Sequence, residues 1–170
     1  MASYYGTLVK AADYFSTRLH TSAWDDSSTT DRQKALYMAT RYINRLNFKG
    51  QKAAVYTLIE ANPEATHAEI RAADASQELD FPRDMDTIVP SDIELACYEL
   101  TLALLDGVDP DTELENLGIE IHSYAGVRTA YNRDQQPIEH LIHGIPSALA
   151  WRYLKPFLRD GREYRISRVD

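Results

Sequence analysis

Along most of this chain apolar residues recur every three or four positions, the period that lines them up on one face of an α-helix. Val9, Ala12, Phe15 and Leu19 make the first such stripe and predict a helix from about Thr7 to Leu19. The polar stretch TSAWDDSSTTD follows, and Trp24 within it is expected to plug into the core. A second helix is predicted from Thr30, where Gln33 three residues on completes a capping box. Its stripe is full: Ala35, Leu36, Ala39, Tyr42, Ile43 and Leu46, with Gly50 punctuating the end.

Gln51 to Leu79 is rich in Ala and Glu and reads as one or two helices, broken at Asn62-Pro63 because proline disfavours helix at the residue before it. The stripe there is thin and predicts a peripheral, solvated insertion over 51–79. FPRDMDTIVP is expected to be a loop anchored by Phe81 and Ile88. Pro90 precedes Ser91, and Glu94 completes a second capping box, so a helix is predicted from Ser91. Ile93, Ala96, Cys97, Leu100, Ala103 and Leu104 line its face, Gly107 stops it, and it is expected to be the central core helix.

Asp109 to Leu117 reads as an acidic loop. The period then changes. Ile119 and Ile121 alternate with polar residues, Val127 and Thr129 follow Gly126, and 117–131 is expected to form a β-hairpin or extended arm. Pro146 opens a last helix with Ala150, Trp151, Leu154 and Leu158 on its apolar side and a kink at Pro156. The expected architecture is mainly α: a bundle of four to five helices over 1–158 with a small β-hairpin or extended arm, then a polar C-terminal tail over 159–170.

Composition alters this little: at 170 residues and 44% hydrophobic, the chain can build one core and not two substantial ones. Charge alters it more. The formal net charge of −8 argues against a life on bulk nucleic acid, because phosphate binding runs on clustered Lys and Arg. The charges also segregate. Glu60 to Glu99 holds eleven carboxylates against two arginines, and Arg152 to Asp170 holds six basic residues against three acidic ones. Arg32, Lys34, Arg41, Arg45, Lys49 and Lys52 gather around the second helix. Solvated faces would give this pattern, and so would complementary surfaces that set register in a head-to-tail assembly.

Candidate chemistry is sparse. A nucleophile elbow, a phosphate loop and a dinucleotide fingerprint are all absent from the sequence. Cys97, the single cysteine, falls on an apolar helix face and reads as a buried thiol. One cysteine makes no internal disulfide, which leads us to expect a reducing, cytoplasmic setting. The opening MASYYGTLVKAADYF lacks the charged start and apolar run of a signal peptide, and no apolar run approaches the roughly 18 residues of a membrane span. His140 and His143 have helical spacing, but no third zinc ligand accompanies them. DGVDPDTELE lacks the ligand spacing of a calcium loop. No catalysis, metal or cofactor is therefore expected. Tyr37, Tyr42 and Tyr56, in or near the basic helix, could stack on single-stranded bases or serve a protein interface.

Six stretches in order carry a family resemblance: YGTLVKAADYF, AWDD, ALYMATRYINRLNFKGQK, ELDFPRD, IVPSDIELACYELTLALLDG and HGIPSALAWRYLKPFL. Together they resemble the small head-to-tail adaptor, or connector, proteins of tailed phages, a family also described as DnaT-like single-stranded-DNA-binding proteins. The resemblance implies a non-enzymatic virion protein, assembled in the host cytoplasm into a homo-oligomeric, dodecameric ring at the head–tail junction. Such a ring joins the portal to a tail or nozzle protein, and genomic DNA passes through its lumen without sequence-specific binding. It implies a portal-facing C-terminal segment, here Trp151, Lys155, Arg159, Arg162, Tyr164, Arg165 and Arg168. It also implies a tail- or neighbour-facing arm, here His122, Tyr124, Arg128, Tyr131 and Arg133. The family's other description leaves a single-stranded-DNA-binding accessory protein as the alternative.

Overall fold

A computed structural model describes residues 3–117, 121–124, 127–130 and 139–159. In chain order the elements are α1 (Leu8–Ser16), α2 (Ser22–Asp25), α3 (Thr29–Ile43), α4 (Ala53–Ala61), α5 (His67–Ser76), α6 (Ser91–Leu105), α7 (Pro110–Leu117), β1 (Ile121–Tyr124), β2 (Val127–Ala130), α8 (Glu139–Ile142) and α9 (Ala148–Leu154), with a 3-10 turn at Lys155–Phe157. The protein is mainly α, as its periodicity predicts. β1 and β2 pair antiparallel with Ile121 opposite Ala130. The rest of the expected hairpin or arm over 117–131, apart from the end of α7 at Leu117, lies outside the described residues.

α6 is the centre of the bundle. Ile93, Ala96, Cys97, Tyr98, Glu99, Leu100, Thr101 and Leu102 are all buried, so the helix is covered on every side rather than along one stripe. α3 packs along one flank with Leu36, Ala39 and Ile43 fully buried, and α9 along another with Ala150, Trp151 and Leu154. Within this core Thr40 holds two neighbours: its hydroxyl accepts from the Tyr5 amide at 3.1 Å and lies 3.6 Å from the Cys97 thiol. Gly107, in the left-handed region at φ +80°, ends α6. The Gly107 amide reaches the Leu104 carbonyl and the Val108 amide the Ala103 carbonyl, which satisfies carbonyls the helix end would otherwise orphan.

Several sequence expectations need correction. The inward face of α1 is not Val9, Ala12 and Leu19: Val9 is 70% exposed and Leu19 79%, while Ala11 and Phe15 are buried and Leu8 half-buried. Polar partners on α6 turn the helix by one residue. Lys10 pairs with Glu94 at 2.9 Å, and Tyr14 and Arg18 both bond Glu99, which hydrophobic spacing cannot register. The cap of α3 is Ser28, two residues before the expected start, with its hydroxyl accepting from the Asp31 amide at 3.1 Å. Ser91 is the first residue of α6 rather than its cap, because Pro90 takes the cap position and its carbonyl receives the Ile93 and Glu94 amides. Ile88 does not anchor its loop; it is 77% exposed, and Val89 packs on the core instead. The acidic stretch after Gly107 is a helix, α7, because the Asp109 carboxylate caps the Asp111 amide and Pro110, fully buried, supplies a preset first turn.

Within 51–79, α5 buries no residue and α4 only Val55. The pair is tied down at its root. Lys52 pairs with Asp74 and donates to the Asp74 and Gln77 carbonyls, at 3.2 and 3.1 Å. Trp24 plugs the core from α2 at 3% exposure, against Phe15 at 4.6 Å between rings.

Candidate functional site

The stretch 47–52, between α3 and α4, is bonded to two other segments. Phe48 bridges Leu158, with the Lys49 amide on the Phe157 carbonyl and the Arg159 amide on the Asn47 carbonyl, both 2.9 Å. Lys52 bridges Arg83, with the Asp84 amide on the Gln51 carbonyl at 2.8 Å. These bonds bring the end of α3, the 3-10 turn and the FPRD loop together, and a cleft of about 940 Å³ opens beside them.

Four cations stand around this cleft: Arg45 and Lys49 after α3, and Lys155 and Arg159 after α9. Between them lie Leu46, Ile142, Trp151 and Leu158. Glu139, the one carboxylate among the described residues that line it, accepts from Lys155 at 2.7 Å and from the Trp151 indole at 3.4 Å. The Lys155 hydrogen bond, more than the indole's, holds the Glu139 carboxyl below its ordinary value of 4.5. A cationic site with an apolar lining, on a chain of net charge −8, is suited to an acidic, partly apolar partner.

The residues expected at a portal-facing surface separate here. Lys155 and Arg159 are exposed at the cleft. Trp151 is a core residue at 6% exposure, with His143 stacked on it at 5.0 Å and 17°. Its apolar bulk serves the bundle, so its expected role as a docking side chain is corrected. Arg162, Tyr164, Arg165 and Arg168 lie outside the described residues, as do Tyr131 and Arg133. His122 and Tyr124 lie on β1 and Arg128 on β2, and only their backbone is described. Sequence reading placed Arg45 and Lys49 with the second helix; only the bridge between Phe48 and Leu158 joins them to the tail's start.

The remaining candidates resolve into structural roles. Burial pushes the Cys97 thiol up to about 12, far from the range of a nucleophile. His140 is held by its Nδ1 2.6 Å from the Ile145 carbonyl oxygen. No group of three or more His, Cys, Asp or Glu side chains that could hold a metal occurs among the described residues. No helix among them is long and apolar enough to cross a membrane. The basic cluster of the second helix disperses: Arg32 lies over Trp24 and bonds its carbonyl, Lys34 pairs with Asp31, and Lys52 with Asp74. Arg45 covers the ring of Tyr42 at 5.6 Å, and Tyr37 meets Tyr4 edge-on at 4.9 Å. Comparison of the chain with family models, with curated proteins and with solved structures finds no match, so the family resemblance rests on the six stretches themselves.

Proposed function

We propose that this chain is a non-enzymatic structural protein of a tailed-phage virion, a subunit of the dodecameric adaptor ring that joins the portal to the tail or nozzle. One observation carries the reading. The six stretches that resemble the adaptor family supply every residue of the main buried core cluster, from Tyr5 through Trp24, Ile43, Phe81 and Leu100 to Leu154. They therefore make one packed body rather than six unrelated likenesses. Outside them lie α4 and α5 between Gln51 and Leu79, of which α5 buries no residue, and α7, α8 and the paired strands. Arg159 is held beside the basic cleft by backbone pairing with Asn47; on this reading 159–170 faces the portal, and the 117–131 arm faces the tail or a neighbour. A net charge of −8 suits a lumen through which DNA slides.

The test is to mix purified protein with the portal of its own phage and view the product by negative-stain electron microscopy. A ring capping the portal is expected, and loss of capping on removal of 160–170 is expected with it. Protein that leaves every portal bare overturns the reading.

A further inference from the structure

The loop after Phe81 presents an unusual tip. Met85 is 78% exposed and Ile88 77%, with the exposed carboxylate of Asp86 between them. Single exposed apolar residues are common on protein surfaces. Here, however, the loop that carries them is braced from below. Phe81 is buried. Arg83 donates to the Lys49 and Gly50 carbonyls at 2.7 and 2.8 Å. Asp84 accepts from the Gln51 amide at 2.9 Å, and the Asp86 amide closes a turn on the Arg83 carbonyl at 3.0 Å. A rigid tip gives up little conformational freedom on binding, which is what a docking knob requires.

We propose that this tip, Met85 to Ile88, docks into the basic cleft of a second copy of this chain. The cleft has the complementary chemistry: Arg45, Lys49 and Arg159, with Lys155 shared with Glu139, for the exposed carboxylate of Asp86, and Ile142, 52% exposed, with Leu158 for the two apolar side chains. Nucleic acid fits it less well, because among the described residues the one large aromatic lining the cleft, Trp151, is buried and has His143 stacked on it. The contact names an interface that a ring would use, but it is argued from this chain alone and holds or fails without any portal.

Mixed single-site cysteine variants test it. One preparation carries Asp86→Cys and the other Lys155→Cys, both with Cys97→Ala so that no other thiol competes. Under mild oxidation the mixture is expected to give a disulfide-linked pair of one chain of each kind, which tags of different size distinguish. Adding Met85→Ser and Ile88→Ser to the first chain should cut the yield about tenfold, the loss expected for a docking hot spot. In chains without introduced cysteines, Asp86→Lys should weaken self-association in sedimentation velocity, and Lys155→Glu on the partner should restore it. Met85, Asp86, Ile88 and Lys155 have exposed side chains, so their substitutions should leave circular dichroism unchanged from a parent that carries the same residue at Cys97. No mixed disulfide, or self-association indifferent to the tip and centred instead on α7 or on Val9 and Leu19, overturns the proposal. Occupation of the cleft by an oligonucleotide that competes with the tip while copies stay monomeric overturns it as well.

Discussion

Arg18, just past the end of α1, grips Glu99 of α6 with two bonds, Nε to one carboxylate oxygen at 2.5 Å and a terminal nitrogen to the other at 2.8 Å. The Tyr14 hydroxyl completes the set at 2.5 Å on the oxygen that Nε uses. The Glu99 side chain is only 2% exposed, whereas that of Arg18 is 27% exposed. A carboxylate this deep is tolerable only while its partners remain, since an unpaired buried charge loses its hydration without return. Arg18→Ala should therefore destabilise by about 3 kcal/mol, the low end for a broken buried pair because water partly screens Arg18. The double variant Arg18→Met, Glu99→Leu should recover most of that loss. Urea unfolding followed by circular dichroism measures both; equal destabilisation by the single and double variants would show that packing, not charge, is what Arg18 supplies.

Two glycines, both at positive φ, separate backbone strain from steric conflict. Gly50 has φ +68° and Gly107 +80°. A methyl group on Gly107 meets nothing within 4 Å, whereas on Gly50 it would strike the Asp84 carboxylate that caps Gln51. Gly107→Ala should cost only the left-handed conformation, about 1–2 kcal/mol. Gly50→Ala should cost that and also the half-buried bond of Asp84, about 1–3 kcal/mol more. Thermal unfolding of the two variants side by side gives the difference, and equal costs would remove the role assigned to Asp84.

These residues also show where sequence reading runs out. Helix spacing found α3 and α6, because α3 hides one long apolar face and α6 is apolar enough to be covered all round. In α1 two stripes one residue apart share Phe15, and the choice between them is made by Glu94 and Glu99, some eighty residues along the chain. The signal for α7 was present locally, an Asp-Pro start, but the acidity of the segment masked it. The cleft had no local signal. Its cations come from 45–49 and 155–159, segments that meet only through backbone bonds around Phe48 and Leu158.

Asp80 departs from the usual acid behaviour. Burial holds its carboxyl above the ordinary value of 3.8, outweighing the attraction of Arg83 and Lys52. A group whose folded value is raised contributes stability that is present below the unfolded value and lost as pH rises through the folded one. The paired carboxylates of Asp31 and Glu69, held low by bonds from Ser28 and Thr66, run in the opposite sense. Asp80→Asn, which mimics the neutral acid, should raise the urea midpoint at neutral pH. Its advantage over the parent should shrink as pH falls through the raised folded value and be gone by the unfolded value of 3.8. An advantage that stays constant across that range would mean that Asp80 does not titrate with folding.

Single-stranded DNA is the partner that the adaptor reading leaves out, and the disposition of the second helix bears on it. Arg41 and Arg45 are exposed on α3 and just beyond it, around a shallow hollow with Met38 and Tyr42. Base stacking needs an open ring face. The Tyr42 ring is half-buried and has the Arg45 guanidinium over it, and Tyr37 is engaged with Tyr4. What remains is charge, and attraction to phosphates alone falls steeply with salt. A labelled single-stranded oligonucleotide should therefore give no complex in a gel shift at moderate salt and micromolar protein. Any low-salt shift should weaken to the same extent with Arg41→Ala, Arg45→Ala as with Lys155→Ala, Arg159→Ala, because neither pair reads a base. A complex that survives moderate salt and is lost with Tyr42→Ala would make base stacking real and move the protein toward single-stranded-DNA binding.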